Sequence, residues 1–155
     1  MLLSDYFRGR DLDVDTLHRQ MKARMDAEGL PYAPGERILN TRLAQELGKW
    51  AQEKRRPQIH DLLYRAYAAE KVDIADPMEL VRIAARAGLD PAEAEAVLSE
   101  RRMRQAVDAD WERSAELGIT AVPTFVIGDR GVAGAQPYEV LEDLVQAAGA
   151  QPRRR

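Results

Sequence analysis

The chain has 155 residues, 45% hydrophobic and 32% charged, a balance that suits one globular domain, or a small domain with an insertion, and excludes a disordered chain. Its 23 Lys and Arg against 26 Asp and Glu give a formal net charge of −3, which removes the basic field that nucleic acid or an anionic membrane surface requires. Cysteine is absent, so these residues supply no disulfide, no thiolate nucleophile, no Cys-ligated zinc and no iron–sulfur cluster.

Met1-Leu2-Leu3-Ser4-Asp5 has neither the basic region nor the apolar run of a signal peptide. No stretch approaches the ~20 apolar residues of a membrane span, and a cytoplasmic location is expected. Residues 12–29 read as a helix with Val14, Leu17, Met21 and Met25 on one face and Gly29 as its stop. Pro31, Pro34 and Gly35 make 30–39 a loop. Asn40 caps a helix over about 41–55 whose apolar face is Leu43, Leu47, Trp50 and Ala51. Pro57 opens the next, with Ile59, Leu62, Leu63, Ala66 and Tyr67 at helical spacing. Asp76-Pro77 and Asp90-Pro91 each place a capping carboxylate before a proline at the first helical position. The first starts a helix with Leu80, Ile83, Ala84 and Ala87 inward, closed by Gly88, and the second a short helix through Val97 and Leu98. Ser99 is expected to cap a further helix, ending at Gly118, with Met103, Val107 and Trp111 inward.

The pattern then changes. Thr120 to Ile127 is β-branched and apolar and reads as a strand, Gly128 to Gly131 as a turn, and Val132 to Gly134 as a short return strand. Pro137 opens a last helix with Val140, Leu141, Leu144, Val145 and Ala148 apolar and Gly149 as its stop. The strand is apolar on both faces, which belongs inside a covered sheet, yet residues 1–119 hold no other convincing strand. The sheet is therefore expected to be incomplete.

Few residues carry chemistry. Pro123 within an apolar strand belongs at a strand start, an edge or a bulge, and base rates favour a trans bond there. Gly128, Gly131 and Gly134 are spaced as hairpin glycines and match neither a dinucleotide fingerprint nor a P-loop. His18 and His60 lie on separate helices without ligand spacing, so no metal site and no cofactor are expected. Ser4 has no histidine near it in sequence to act as its base. Lys54-Arg55-Arg56 and Arg101-Arg102-x-Arg104 are diluted by Glu53, Glu95 and Glu100 and read as solvated faces. Trp50, Tyr64, Tyr67 and Trp111 occupy core-like helical positions.

Gly118-Ile119-Thr120-Ala121-Val122-Pro123-Thr124-Phe125-Val126-Ile127, followed by Gly134-Ala135-Gln136-Pro137, resembles the C-terminal half of a DsbA-like thioredoxin-fold domain, and of its FrnE-type branch in particular. Asn40-Thr41-x-x-Ala44-x-x-Leu47-x-x-Trp50-Ala51 resembles the start of that branch's helical insertion, although many members have His where Gln45 stands. Asp76-Pro77 and Gly88-Leu89-Asp90 fit the same insertion, and the resemblance spans about residues 12–149. It implies a mostly α fold with a small β-hairpin, an incomplete α/β thioredoxin-like fold with a large helical insertion. The domains are then a helical insertion over 12–118, a strand–hairpin–helix half-domain over 119–149 and a disordered tail over 150–155. The family carries out thiol–disulfide exchange. It implies a cis bond at Pro123, and substrate contacts from Val122, Pro123 and Thr124, with the Val122 backbone pairing with an extended peptide or protein substrate.

The family's N-terminal strand–helix unit, which bears C-x-x-C, is expected to be missing, and with it every catalytic residue. Exchange needs an attacking thiolate. The chain is thus expected to be a disulfide-oxidoreductase family protein that is redox-inactive in this form. The other expectation is a non-catalytic peptide- or protein-binding module. In either case the exposed sheet edge predicts a homodimer, unless residues 1–11 fold back as a substitute strand.

Overall fold

The computed structural model describes residues 1–9 and 13–151. Their elements run α1 (Leu3–Tyr6), α2 (Val14–Ala27), α3 (Arg42–Glu53), α4 (Ile59–Ala68), α5 (Pro77–Arg86), α6 (Pro91–Ser99), α7 (Arg104–Glu116), β1 (Thr124–Ile127), β2 (Arg130–Ala133) and α8 (Tyr138–Ala147). The fold is mostly helical with a two-stranded antiparallel hairpin. The chain separates into two compact units, Met1–Asp108 and Ala109–Arg155, so the division falls inside α7, whereas the sequence reading places it after that helix, at 118/119. The expected helix start at residue 12, and the tail over 152–155, lie outside the described residues.

The core of the first unit lies among α3, α4, α5 and α6. Ala44, Leu47, Trp50 and Ala51 of α3 meet Ile59, Leu63 and Ala66 of α4, Leu80, Ile83 and Ala84 of α5, and Ala94, Val97 and Leu98 of α6, with Ile74, Ala87 and Leu89 filling the connections. Burying a side chain such as Leu47 or Leu80 fully stabilises the unit by roughly 1.5–3 kcal/mol. The two Asp-Pro pairs begin α5 and α6 as the sequence predicts. The Asp76 carboxylate accepts from the Met78 N–H at 2.8 Å and the Asp90 carboxylate from the Glu93 N–H at 2.7 Å. Asn40 Oδ1 accepts from the Arg42 N–H at 3.0 Å, so it caps α3 from one residue further out than the helix boundary suggests. Gly48 lets α4 approach α3, because a Cβ there would stand 3.0 Å from His60 Cε1. His60 is thus a packing residue, with its Nε2 3.1 Å from Gln52 Nε2.

Several expectations are corrected. No residue of α2 is buried, and Met21 of its predicted inward face is exposed. Ser99 does not cap α7: it ends α6, its hydroxyl donates to the Ala96 carbonyl, and α7 begins only at Arg104. Of the four aromatics given core positions, only Trp50 is buried, while Tyr64, Tyr67 and Trp111 are exposed. Residues 1–9 form no strand of their own, and residues 10 and 11 of the expected fold-back strand over 1–11 lie outside the described residues. Leu2 bridges Arg37 and α1 follows it, with the Leu3 N–H donating to the Glu36 carbonyl and the Ile38 N–H to the Met1 carbonyl.

The Arg101 cluster is not simply a solvated face. Glu46, on α3, is a carboxylate with only 1% of its surface exposed. Arg101 Nε and Nη2 donate to its two oxygens at 2.9 and 2.6 Å, and Arg42 Nε donates at 3.3 Å. Arg42 also pairs with Asp108 and donates to the Arg104 carbonyl at 3.2 Å. Arg101 reaches Glu46 from a backbone φ of +54°, a left-handed value uncommon outside glycine. The hydrogen bonds from Arg101, with smaller help from Arg42, hold the Glu46 carboxyl below the ordinary glutamate range despite burial, which acts in the opposite direction.

Candidate functional site

The second unit holds the residues to which the sequence gives a binding role. The expected strand over Thr120–Ile127 is shorter than predicted: β1 begins at Thr124, and residues 121–123 form a bend. Pro123 lacks an N–H, so regular pairing begins one residue later. The Val122–Pro123 peptide bond is cis. Thr124 Oγ1 donates to the Ala121 carbonyl at 2.6 Å and closes the bend around Val122 and Pro123. Val122 is 89% exposed at its apex.

β1 and β2 pair with Thr124 opposite Ala133, Phe125 opposite Val132, Val126 opposite Gly131 and Ile127 opposite Arg130. The return strand therefore begins at Arg130, earlier than Val132, because the loop is only Gly128-Asp129. Gly128 has φ +64°, the left-handed backbone that a type II′ hairpin asks of its first loop residue. The Gly134 N–H donates to the Pro123 carbonyl at 2.7 Å, which carries the ladder one step beyond β1. Hydrogen-bonded pairs alternate in an antiparallel ladder. Pro123, Phe125 and Ile127 therefore direct their backbone groups to β2, while those of Thr124 and Val126 point to the outer edge. Among the described residues, β1 has no strand partner on that edge.

A cleft of about 310 Å³ opens beside this bend, lined by Gly118, Thr120, Ala121, Thr124, Val126 and Gly131 among others. Gln136 Nε2 donates to the Ala133 carbonyl at 2.6 Å and fixes the exit from β2. The structure thus places Val122, Pro123 and Thr124 together as an exposed bend with an open edge beside it. Sequence reasoning did not single out the Ala121 carbonyl, the Gly134 N–H or the Gln136 amide as the groups that hold the bend. The G-A-Q-P run was the available signal, since it contains both Gly134 and Gln136.

The first unit offers little chemistry by comparison. A second cleft of about 370 Å³ does bring Ser4 and His18 together, with Asp15, Glu36 and Lys71 around them, although the two are far apart in sequence. Among the described residues no hydrogen bond joins Ser4 to His18, so the serine has no aligned base. No group of three or more His, Asp or Glu is arranged to hold a metal ion among the described residues. No described helix is long and apolar enough to cross a membrane.

Comparison with known families matches residues 11–146 to the family described as DSBA-like thioredoxin domain. Among curated proteins, YwbO of Bacillus subtilis (strain 168) is 36% identical over 87 residues. That match takes in 54% of this chain but only 42% of the relative, so the chain spans less than half of that protein. Among solved structures, a probable DsbA oxidoreductase from Streptomyces coelicolor is similar with a TM-score of 0.83 and 31% identity, covering 100% of this chain and 70% of the other.

Proposed function

The chain belongs to the DsbA-like thioredoxin-domain family, and from that premise we propose that it is the substrate-facing part of a thiol–disulfide oxidoreductase. In this reading the bend at Val122, Pro123 and Thr124 receives an extended peptide or protein segment, whose backbone pairs with that of Val122. The observation that carries it is the 89% exposure of Val122 in a bend held closed by the Thr124 hydroxyl. An apolar residue so presented, next to unpaired strand groups, is suited to strand addition.

The chemistry of the family is attack of a thiolate on a disulfide sulfur, with formation of a mixed disulfide and departure of the other sulfur as thiolate. These 155 residues contain no cysteine, so the attacking sulfur must come from outside them. Alone, the chain is redox-inactive. The finer assignment to the FrnE-type branch is supported by the N-T-x-x-A run at Asn40 and by Gly134-Ala135-Gln136-Pro137. A cytoplasmic location is compatible with the cysteine-free composition.

The zero cysteine count favours a second reading, a non-catalytic module that keeps the peptide groove. The coding sequence upstream of the Met1 codon separates the two. An in-frame segment encoding an apolar strand and C-x-x-C supports the oxidoreductase, and a stop codon immediately upstream supports the module. Peptide capture itself is tested by titrating the chain, at dilute concentration, with an extended apolar peptide. Val122→Pro removes the pairing N–H and is expected to weaken binding about tenfold or more. Equal binding by this variant, verified as folded, contradicts the proposed site.

A further inference from the structure

A third cleft, of about 380 Å³, lies in the helical unit between residues 34–39 and the connection from α4 to α5. Its volume is that of a small-molecule site. Every residue lining it falls between Pro34 and Asp73. Backbone bonds fix both walls: the Ala33 N–H donates to the Ala68 carbonyl at 2.8 Å, and the Val72 N–H to the Ala66 carbonyl at 2.9 Å. Leu39 and Val72 pack against the core, and the exposed Tyr67 completes the apolar part of the lining.

Four charged side chains line the cleft, Arg37 and Lys71 against Glu36 and Asp73. Among the described residues neither cation has an ion-pair partner. Lys71 moreover holds a left-handed backbone, φ +56°, which glycine adopts at lower cost. Arg101 has the same kind of backbone, and its two bonds to Glu46 compensate it. Arg55 shares it as well but lines none of the three clefts. Backbone in this region gathers at ligand sites, and here it presents an unpaired ammonium where this cleft adjoins the one holding Ser4 and His18. A simple anion meets Glu36 and Asp73 as well as the two cations, and a simple cation meets the reverse. A ligand bearing both charges suits the lining. We propose that this cleft binds a small zwitterion of the α-amino-acid class, with its carboxylate toward Arg37 and Lys71, its ammonium toward Glu36 and Asp73, and an apolar side chain against Leu39 and Tyr67. No thiol takes part, so binding here stands or falls separately from the substrate bend.

Titration of the full chain with L-phenylalanine, followed in the amide spectrum, tests this. Saturable shifts are expected at residues 35–39 and 71–73, with a dissociation constant of about 1 mM and the Val122 and Thr124 amides unmoved. On the same wild-type chain, N-acetyl-phenylalanine lacks the ammonium and phenylalaninamide lacks the carboxylate. Each is expected to bind about tenfold more weakly or worse. Lys71→Gly keeps the left-handed turn and removes the amine. Asp73→Asn keeps the oxygen that accepts the Ala75 N–H and removes the charge. Both variants are expected to bind L-phenylalanine about tenfold more weakly, with folding verified by circular dichroism. No saturable shift up to about 20 mM L-phenylalanine overturns the proposal. So does equal binding of the two singly charged analogues, or a folded Lys71→Gly variant that binds undiminished.

Discussion

Replacing Glu46 by Gln keeps the shape of the side chain and removes the charge on which Arg101 and Arg42 converge. Three N–H donors reach its oxygens, at 2.6, 2.9 and 3.3 Å. A hydrogen bond to a charged partner contributes about 1.5–3 kcal/mol. The longest of these contributes little, and Arg101 is 41% exposed, so water screens part of the loss. The amide also turns an N–H₂ group toward the guanidinium donors. The expected cost is about 2 kcal/mol at neutral pH, which lowers the urea midpoint by about 1 M for a small unit. Trp50, on the same helix as Glu46, is buried and Trp111 is exposed, so a Trp111→Phe background makes fluorescence report on the helical unit. The pH dependence supplies a second readout. Glu46 is held below its ordinary value of 4.5, first by Arg101, so its stabilisation is complete above about 4.5 and disappears as the pH falls through the lowered folded value. The difference between wild type and Glu46→Gln is therefore widest near pH 7 and closes in acid. A Glu46→Gln chain within about 0.5 kcal/mol of wild type at pH 7, or a difference that widens in acid, refutes the reasoning.

Gly48→Ala is expected to stabilise α3 by about 1 kcal/mol when His60→Ala is also present, and by clearly less with His60 in place, as a double-mutant cycle in urea measures. Asp76→Ala and Asp90→Ala should each cost about 1 kcal/mol through lost capping, with nearly additive effects in thermal unfolding. The chain alone should reduce insulin no faster than a protein-free blank, since it contains no thiol.

The signals that held were local ones. Asp76-Pro77 and Asp90-Pro91 start helices by contacts spanning two or three residues, and the spacing of Leu47, Trp50 and Ala51 already gave the buried face of α3. The hairpin was legible from Phe125, Val126 and the glycines, although Pro123 trimmed its first strand. What escaped depends on distant partners. Glu46 and Arg101 lie 55 positions apart, and no periodicity announces that a carboxylate on an apolar helix face will be met by a guanidinium from a later turn. Tyr64 and Tyr67 on α4 and Trp111 on α7 sit at helical positions, but periodicity within a helix says nothing of whether a neighbour covers the face. At the site, the V-P-T run was visible, while the Gly134 N–H that pairs behind it became evident only with the register.

In the proposed function an extended substrate pairs at the bend of Val122, Pro123 and Thr124. The direct measurement is the amide spectrum of the isotopically labelled chain, kept dilute, during titration with an extended apolar peptide. The largest shifts are predicted at the Val122 and Thr124 amides, with slowed hydrogen exchange at the same positions and the core amides of α3 to α6 undisturbed. Shifts that gather instead around the Ser4–His18 cleft, with Val122 and Thr124 unmoved at saturating peptide, would contradict it.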